Sequence, residues 1–306
     1  MLTTLKTSAM AALLAATAVG TTTAGAQAKK EQSGRWAPIQ RVFGQGEAEG
    51  KYFRVNLPRR DLHVRIGDDA LDPGFEFTSY VGFAPTGAAS VMAMGEVILA
   101  EGEVPAVLAA ARAQGVRVTA VHNHLIGETP RIVYVHVMVA GAPAAVATRL
   151  RALFAASATP LAPAPEEPVS ADWASIDAVL GTHSEAHGRV AEYVFPRRER
   201  ITVHGTSLES SGTLETASEV VFQQLGGGRV ANTGELYLLP DEVDAVVRAL
   251  GEHGLGVTAI HTHMLDDGPP RFWVHWYAAG DGPTLARGVA AALSHMKSAQ
   301  KAAKEG

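Results

Sequence analysis

"GEVILAEGEVPAVLAAARAQGVRVTAVHNH" (Gly95–His124) returns 139 residues later as "GELYLLPDEVDAVVRALGEHGLGVTAIHTH" (Gly234–His263). The stretch reads as strand, helix, strand. Val104, Val107, Leu108 and Ala111 recur at helical spacing, and Gly115 follows where a helix commonly closes on a left-handed glycine. On either side, "GEVILA" and "VRVTAVH" are rich in β-branched residues, as strands are.

Upstream, "YFRVNL", "HVRI", "FTSYVGFA" and "SVMAMGEVILA" read as further strands, and downstream "RIVYVHVMVAG" adds another before the amphipathic helix "PAAVATRLRALF". "VNLPRRDLHVRIG" (Val55–Gly67) answers "YVFPRRERITVHG" (Tyr193–Gly205) at an interval of 138, so one surface insertion separates the copies. The pattern predicts an α+β fold of two tandem homologous domains, each a mainly antiparallel sheet with two helices on one face. The domains are read as residues 36–157 and 173–297, packed face to face. Between them "ATPLAPAPEEPVSAD", the Pro/Ala-rich linker 158–172, carries four prolines that forbid continuous helix or sheet.

Residues 1–28 have the form of a secretory leader: Lys6, an apolar run from Ala9 to Val19, and Ala26-Gln27-Ala28 as the cleavage site. A secreted or periplasmic protein is expected. The 306-residue chain has no cysteine, which excludes disulfides, thiolate metal sites, cysteine nucleophiles and a lipid-bearing cysteine, so no stable membrane anchor is expected. Its net charge of −5 offers no field for nucleic acid.

Six histidines stand at matched places: His122, His124 and His136, then His261, His263 and His275. In a strand, residues two apart point to one face, so each His-x-His pair presents two imidazoles together. A hairpin would bring the third ring beside them. Three histidines with an open position is the pattern of catalytic zinc, so a divalent metal, Zn²⁺ foremost, is the expected cofactor. Glu96 and Glu235, each after a glycine, are candidate catalytic proton carriers or a fourth ligand. Tyr134 and Trp273 lie two residues before the last histidine and are candidate pocket walls. Arg131 and Arg271 are candidates to bind a substrate carboxylate. "PRR" (Pro58–Arg60, Pro196–Arg198) is expected to be a solvated strand edge, and "GGG" (Gly226–Gly228) a turn.

"GEVILAEGEV", "VTAVHNHLIGETPRIVYVHVMVAG" and "VTAIHTHMLDDGPPRFWVH" resemble the LppY/LpqO family, exported bacterial proteins that are often duplicated and whose function is not defined. The resemblance implies export and duplication but supplies no activity. The His-x-His pair with a third histidine on the next strand is also similar to the metal site of acetolactate decarboxylases, where zinc polarises a carbonyl. Three functions follow as expectations: a metal-dependent hydrolase or lyase, a non-catalytic envelope protein that binds metal or a small ligand, or a structural module whose histidines hydrogen-bond within the sheet.

Overall fold

The computed structural model describes residues 34–297. The leader expected at residues 1–28 lies outside the described residues. The first half runs α1 (residues 34–43), β1 (Glu47–Glu49), β2 (Tyr52–Pro58), β3 (Arg65–Ile66), β4 (Asp69–Ala70) and α2 (Pro73–Glu76). It continues with β5 (Thr78–Pro85), β6 (Val91–Ala100), α3 (Val104–Gln114), β7 (Arg117–His122), β8 (Glu128–Thr129), β9 (Ile132–Gly141) and α4 (Pro143–Phe154). The second half opens with α5 (Ala174–Leu180), β10 (Glu185–His187), β11 (Val190–Pro196), β12 (Ile201–Val203) and β13 (Thr206–Leu208). It closes with β14 (Ala217–Gly226), β15 (Arg229–Leu238), α6 (Val243–Glu252), β16 (Gly256–His261), β17 (Asp267–Gly268), β18 (Phe272–Asp281) and α7 (Gly282–Leu293).

Each half is built on a six-stranded sheet of the same order, β1-β2-β5-β6-β9-β7 and β10-β11-β14-β15-β18-β16. All the pairings are antiparallel. The fold is α+β with a tandem duplicated domain, as the sequence predicts. A helix ahead of each sheet, α1 or α5, joins the two expected ones: Trp36 and Ile39 pack into the first core, Ile176 into the second. Gly115 closes α3 at φ 62, the left-handed conformation a side chain would resist.

The strand alternation sorts the residues into two kinds of interior. In β6 and β9, Val97, Leu99, Val135, Val137 and Val139 face the helices and form a core private to the first half. Leu236, Leu238, Val274 and Trp276 do the same in the second. The opposite faces of the two sheets meet each other. There Met92, Met94 and Tyr52 pack against Ile201, Val203 and Trp273, while Phe75, Ile98 and Ile132 pack against Val190 and Val221. The chain is thus a four-layer stack, helices–sheet–sheet–helices, and the central seam is shared. Ion pairs lock its rim: Arg189 with Asp72 at 2.6 Å, Arg229 with Asp69 at 3.0 Å and Arg117 with Asp266 at 2.8 Å.

The first arginine of each "PRR" motif departs from expectation. Arg59 and Arg197 are 1% and 3% exposed. Arg197 pairs with Glu242 at 2.8 Å and Glu199 at 2.7 Å and donates to the Tyr237 carbonyl at 2.9 Å. Arg59 repeats this with Glu103, Asp61 and the Ile98 carbonyl. The edge reading failed because the partner glutamates lie more than forty residues away, at the start of α3 and α6. Removing one member of a buried pair strands the other charge, at a cost of about 3–5 kcal/mol. Arg197→Met should therefore lower the urea midpoint strongly, while Arg198→Met, at an exposed position, should leave it nearly unchanged.

Candidate metal centre

Sheet register carries the histidines to the seam. In the first half His136 stands opposite Ala120 on β7 and Glu96 on β6, and His122 opposite Tyr134. The second half repeats this: His275 opposite Ala259 and Glu235, His261 opposite Trp273. The glycines before the two glutamates permit a close approach of strands. A Cβ at Gly95 would collide with the Tyr80 carbonyl, and one at Gly234 with the Glu219 carbonyl.

The sequence expectation places three histidines in each half, and the structure brings all six into one cluster. Within the first half the rings of His122 and His124 are 5.0 Å apart and those of His122 and His136 4.8 Å apart. His261 lies 4.9 Å from both His263 and His275. Across the seam His122 stacks on His261, His124 on His275 and His136 on His263, each at 3.7 Å. An approximate twofold axis therefore passes between His122 and His261. Tyr134 stacks on His124 at 3.6 Å and Trp273 on His263 at 3.9 Å, so both aromatics wall the cluster.

Two further carboxylates complete it, Glu76 at the end of α2 and Glu215 before β14. Glu76 meets His124 Nδ1 at 3.0 Å. Glu215 meets His136 Nδ1 at 3.1 Å and His263 Nδ1 at 3.4 Å. Sequence reasoning missed this pair, although Glu76 and Glu215 stand at the same interval of 139 as the histidines. Glu96 lies 3.4 Å from His136 Nε2, and Glu235 lies 3.8 and 4.0 Å from Nε2 of His275 and His263.

Burial sets the protonation states. Desolvation lowers the His122 and His261 pKa values to about 4 and about 3, and holds the other four histidines well below their usual range. The same desolvation raises Glu76 and Glu215 to about 8 and Glu96 and Glu235 well above the ordinary carboxylate value. The imidazoles are neutral, the form that binds metal.

Most of their nitrogens lack a well-formed hydrogen bond. Of the twelve ring nitrogens only His124 Nδ1 and His136 Nδ1 make one, and the remaining ten are buried with at most a long contact to a carboxylate or backbone group. An orphaned buried polar atom costs about 1–3 kcal/mol. Histidines kept for hydrogen bonding within the sheet would not carry ten of them. Five groups of three or four His and Glu side chains have ligand atoms within 4.8 Å of one another and could hold a metal ion. Four of them form two twofold-related pairs: Glu96/His124/His136 with Glu235/His263/His275, and Glu76/His124/His275 with His136/Glu215/His263. The fifth, His122/His124/His261/His263, straddles the axis.

A cavity of about 80 Å³ reaches His124, and Arg54, Glu76, Glu96, Glu192, Glu219 and Glu235 are among its walls. Arg54 lies 3.7 Å over the Tyr80 ring and donates to the Gly212 carbonyl at 2.5 Å. It breaks the twofold symmetry, since Glu192 occupies the matching position in β11. Arg131 is exposed, while Arg271 is buried, donates to the Pro269 carbonyl at 2.8 Å and lies 5.6 Å from the Tyr237 ring. Neither is among the residues lining this cavity.

Among solved structures, the chain is similar to EtuB from Clostridium kluyveri, with 11% identity, 82% of this chain and 89% of that chain covered, and a TM-score of 0.20. A trimeric bacterial microcompartment shell protein, PduB, gives 11% identity, 82% and 89% coverage and a TM-score of 0.21. These scores carry no argument about function. No curated protein matches the chain in sequence. The profile described as "Domain of Unknown Function (DUF1259)" matches residues 37–156 and again 174–295. The chain belongs to that family, with two copies of its domain in tandem.

Proposed function

We propose that the protein binds two divalent transition-metal ions, zinc foremost, in the seam between its repeats. The ten buried imidazole nitrogens without a hydrogen bond support this reading above any other observation. Hydrogen bonding through Nδ1 to a carboxylate is how metal-binding histidines are usually oriented. Glu76 and Glu215 take that part, leaving Nε2 to the metal and Glu96 and Glu235 as carboxylate ligands or proton carriers. Imidazole and carboxylate suit zinc, and ligands about 2.0–2.2 Å from a tetrahedral ion stand about 3.4 Å apart, within the spacing present.

A second reading, metal-dependent hydrolysis or lyase chemistry on a small molecule, is favoured by the cavity beside His124. A bound ion would supply Lewis acidity. The chain would contribute Glu96 or Glu235 to move a proton, Arg54 to hold an anionic group, and the seam to limit water. The leader-like sequence of residues 1–28 and the chain's resemblance to exported LppY/LpqO proteins support a role in the cell envelope.

Metal content of purified chain, loaded with zinc, manganese, copper or iron and freed of excess, tests the proposal. Two ions per chain are expected; none after any loading would sink it. Loading should also expel protons. At pH 7 pKa values of about 8 keep Glu76 and Glu215 largely protonated, and burial also raises Glu96 and Glu235, whereas ion binding favours the ionised carboxylates. Calorimetric titration with zinc in two buffers of different ionisation enthalpy should show at least one proton released per ion at pH 7. Affinity should rise with pH towards about 8, where Glu76 and Glu215 ionise unaided.

A further inference from the structure

On its other flank the centre opens onto a second, much smaller cavity. Its volume is about 10 Å³, and its walls include Met94, Met138, Met264, His136, His263 and Glu215. That is room for one water-sized particle, hence for one ion. We propose that it is a binding site for a soft monovalent cation of the copper(I) class, held by thioether and imidazole ligands. The proposal extends the reading of the histidines as metal ligands, with which it shares His136 and His263.

Three observations carry it. The first is composition: the chain has seven methionines and no cysteine, so thioethers are its only soft donors. Met92, Met94, Met138 and Met264 gather in one cluster at the seam, and only Met296 among the described methionines lies elsewhere. The second is asymmetry. At the twofold-related positions of Met94, Met138 and Met264 stand Thr233, Tyr277 and Leu125, so the duplicated fold does not itself demand methionine there. The matching flank thus carries a hydroxyl, a phenol and an alkyl side chain, none of them a soft donor. The third is unmet valence: both nitrogens of His263, Nε2 of His136 and Oε1 of Glu215 are buried without a hydrogen bond.

Methionine's unbranched chain and polarisable sulfur also suit it to filling gaps in a core, so packing alone is the rival account. The cavity's outer wall argues for access. His204, Asp266 and Leu265 line it, and Leu265 is 58% exposed, which gives an ion a short path from solvent.

The test uses the full chain with Cu(I) kept reduced by ascorbate under nitrogen and competed by bathocuproine disulfonate. Met94→Leu/Met138→Leu/Met264→Leu keeps volume and apolarity. Loss of its thioethers should weaken Cu(I) binding at least about 100-fold, while zinc content stays at the wild-type value. X-ray absorption of the wild-type Cu(I) protein needs no variant and should show sulfur beside nitrogen scatterers. An unchanged Cu(I) affinity in the triple variant, or a nitrogen and oxygen shell alone, overturns the proposal. Zinc uptake with methionine-independent Cu(I) binding refutes this site and keeps the divalent centre. Methionine-dependent Cu(I) binding without uptake of any divalent ion does the reverse.

Discussion

His124→Ala/His275→Ala protein is expected to come through zinc loading with neither ion, and His124→Ala/His136→Ala protein with one. The expectation rests on which ring nitrogen faces which carboxylate. Glu76 and Glu215 hold Nδ1 of His124 and His136 at 3.0 and 3.1 Å, so the free ligand atom of each ring is Nε2. On that side Glu96 is 3.4 Å from His136, and Glu235 is 3.8 and 4.0 Å from His275 and His263. The ligand sets therefore run within each repeat, Glu96/His124/His136 and Glu235/His263/His275. The 124/275 double variant removes one ligand from each set, whereas the 124/136 variant removes two from the first and spares the second. A four-ligand zinc site is worth about 10–16 kcal/mol, so each ligand is worth about 3–4 kcal/mol, or roughly 10²–10³ in affinity. The alternative sets, Glu76/His124/His275 and His136/Glu215/His263, cross the seam and give the opposite result: one ion kept in 124/275 and none in 124/136. Metal per chain, measured by mass spectrometry on both proteins, decides between them. A single ion lost from both, and from His122→Ala/His261→Ala, would place it on the axis.

What the sequence told and what it withheld divide along physical lines. Duplication, sheet class and strand alternation are local or periodic properties, and they forecast that His122 and His124 share a face and that His136 returns beside them on a paired strand. Glu76 and Glu215 were equally visible at the repeat interval. A glutamate between turn and strand is ordinarily solvated, and only the second sheet buries these two. The stacking of His124 on His275 and of His136 on His263 had no signal at all. It depends on how two sheets more than a hundred residues apart rotate against each other, which no spacing encodes. Arg59 and Arg197 failed for the same reason, since their partners lie far along the chain.

Stripping the metal should cost this protein more stability at pH 8 than at pH 7, and the sign follows from the site's own groups. The buried glutamates have raised pKa values, about 8 for Glu76 and Glu215, so above their unfolded value near 4.5 the unfolded chain releases protons that the native site retains. Native stability then falls as pH rises from about 4.5 to about 8. The histidines work the other way. Their depressed values, about 4 for His122 and about 3 for His261, leave stability untouched above 6.5 and erode it as pH falls below that. Between about 4.5 and 6.5 the two slopes oppose each other. Above 6.5 only the glutamates act, each at about 1.4 kcal/mol per pH unit until its own pKa is neared, so Glu76 and Glu215 alone remove roughly 3 kcal/mol by pH 8. At about 2–4 °C per kcal/mol, that lowers Tm by on the order of 10 °C. Bound ions hold the carboxylates ionised, Glu96 and Glu235 as ligands and Glu76 and Glu215 as partners of the ligating imidazoles, and abolish the loss. With free zinc at a thousandfold excess over Kd, each ion adds about 4 kcal/mol, a comparable rise in Tm. Thermal unfolding of chelated and zinc-loaded protein at pH 7 and pH 8 gives four numbers. Chelated protein should melt lower at pH 8 than at pH 7, loaded protein should melt at nearly one temperature, and equal pH dependence in both would sink the buried-carboxyl account of the centre.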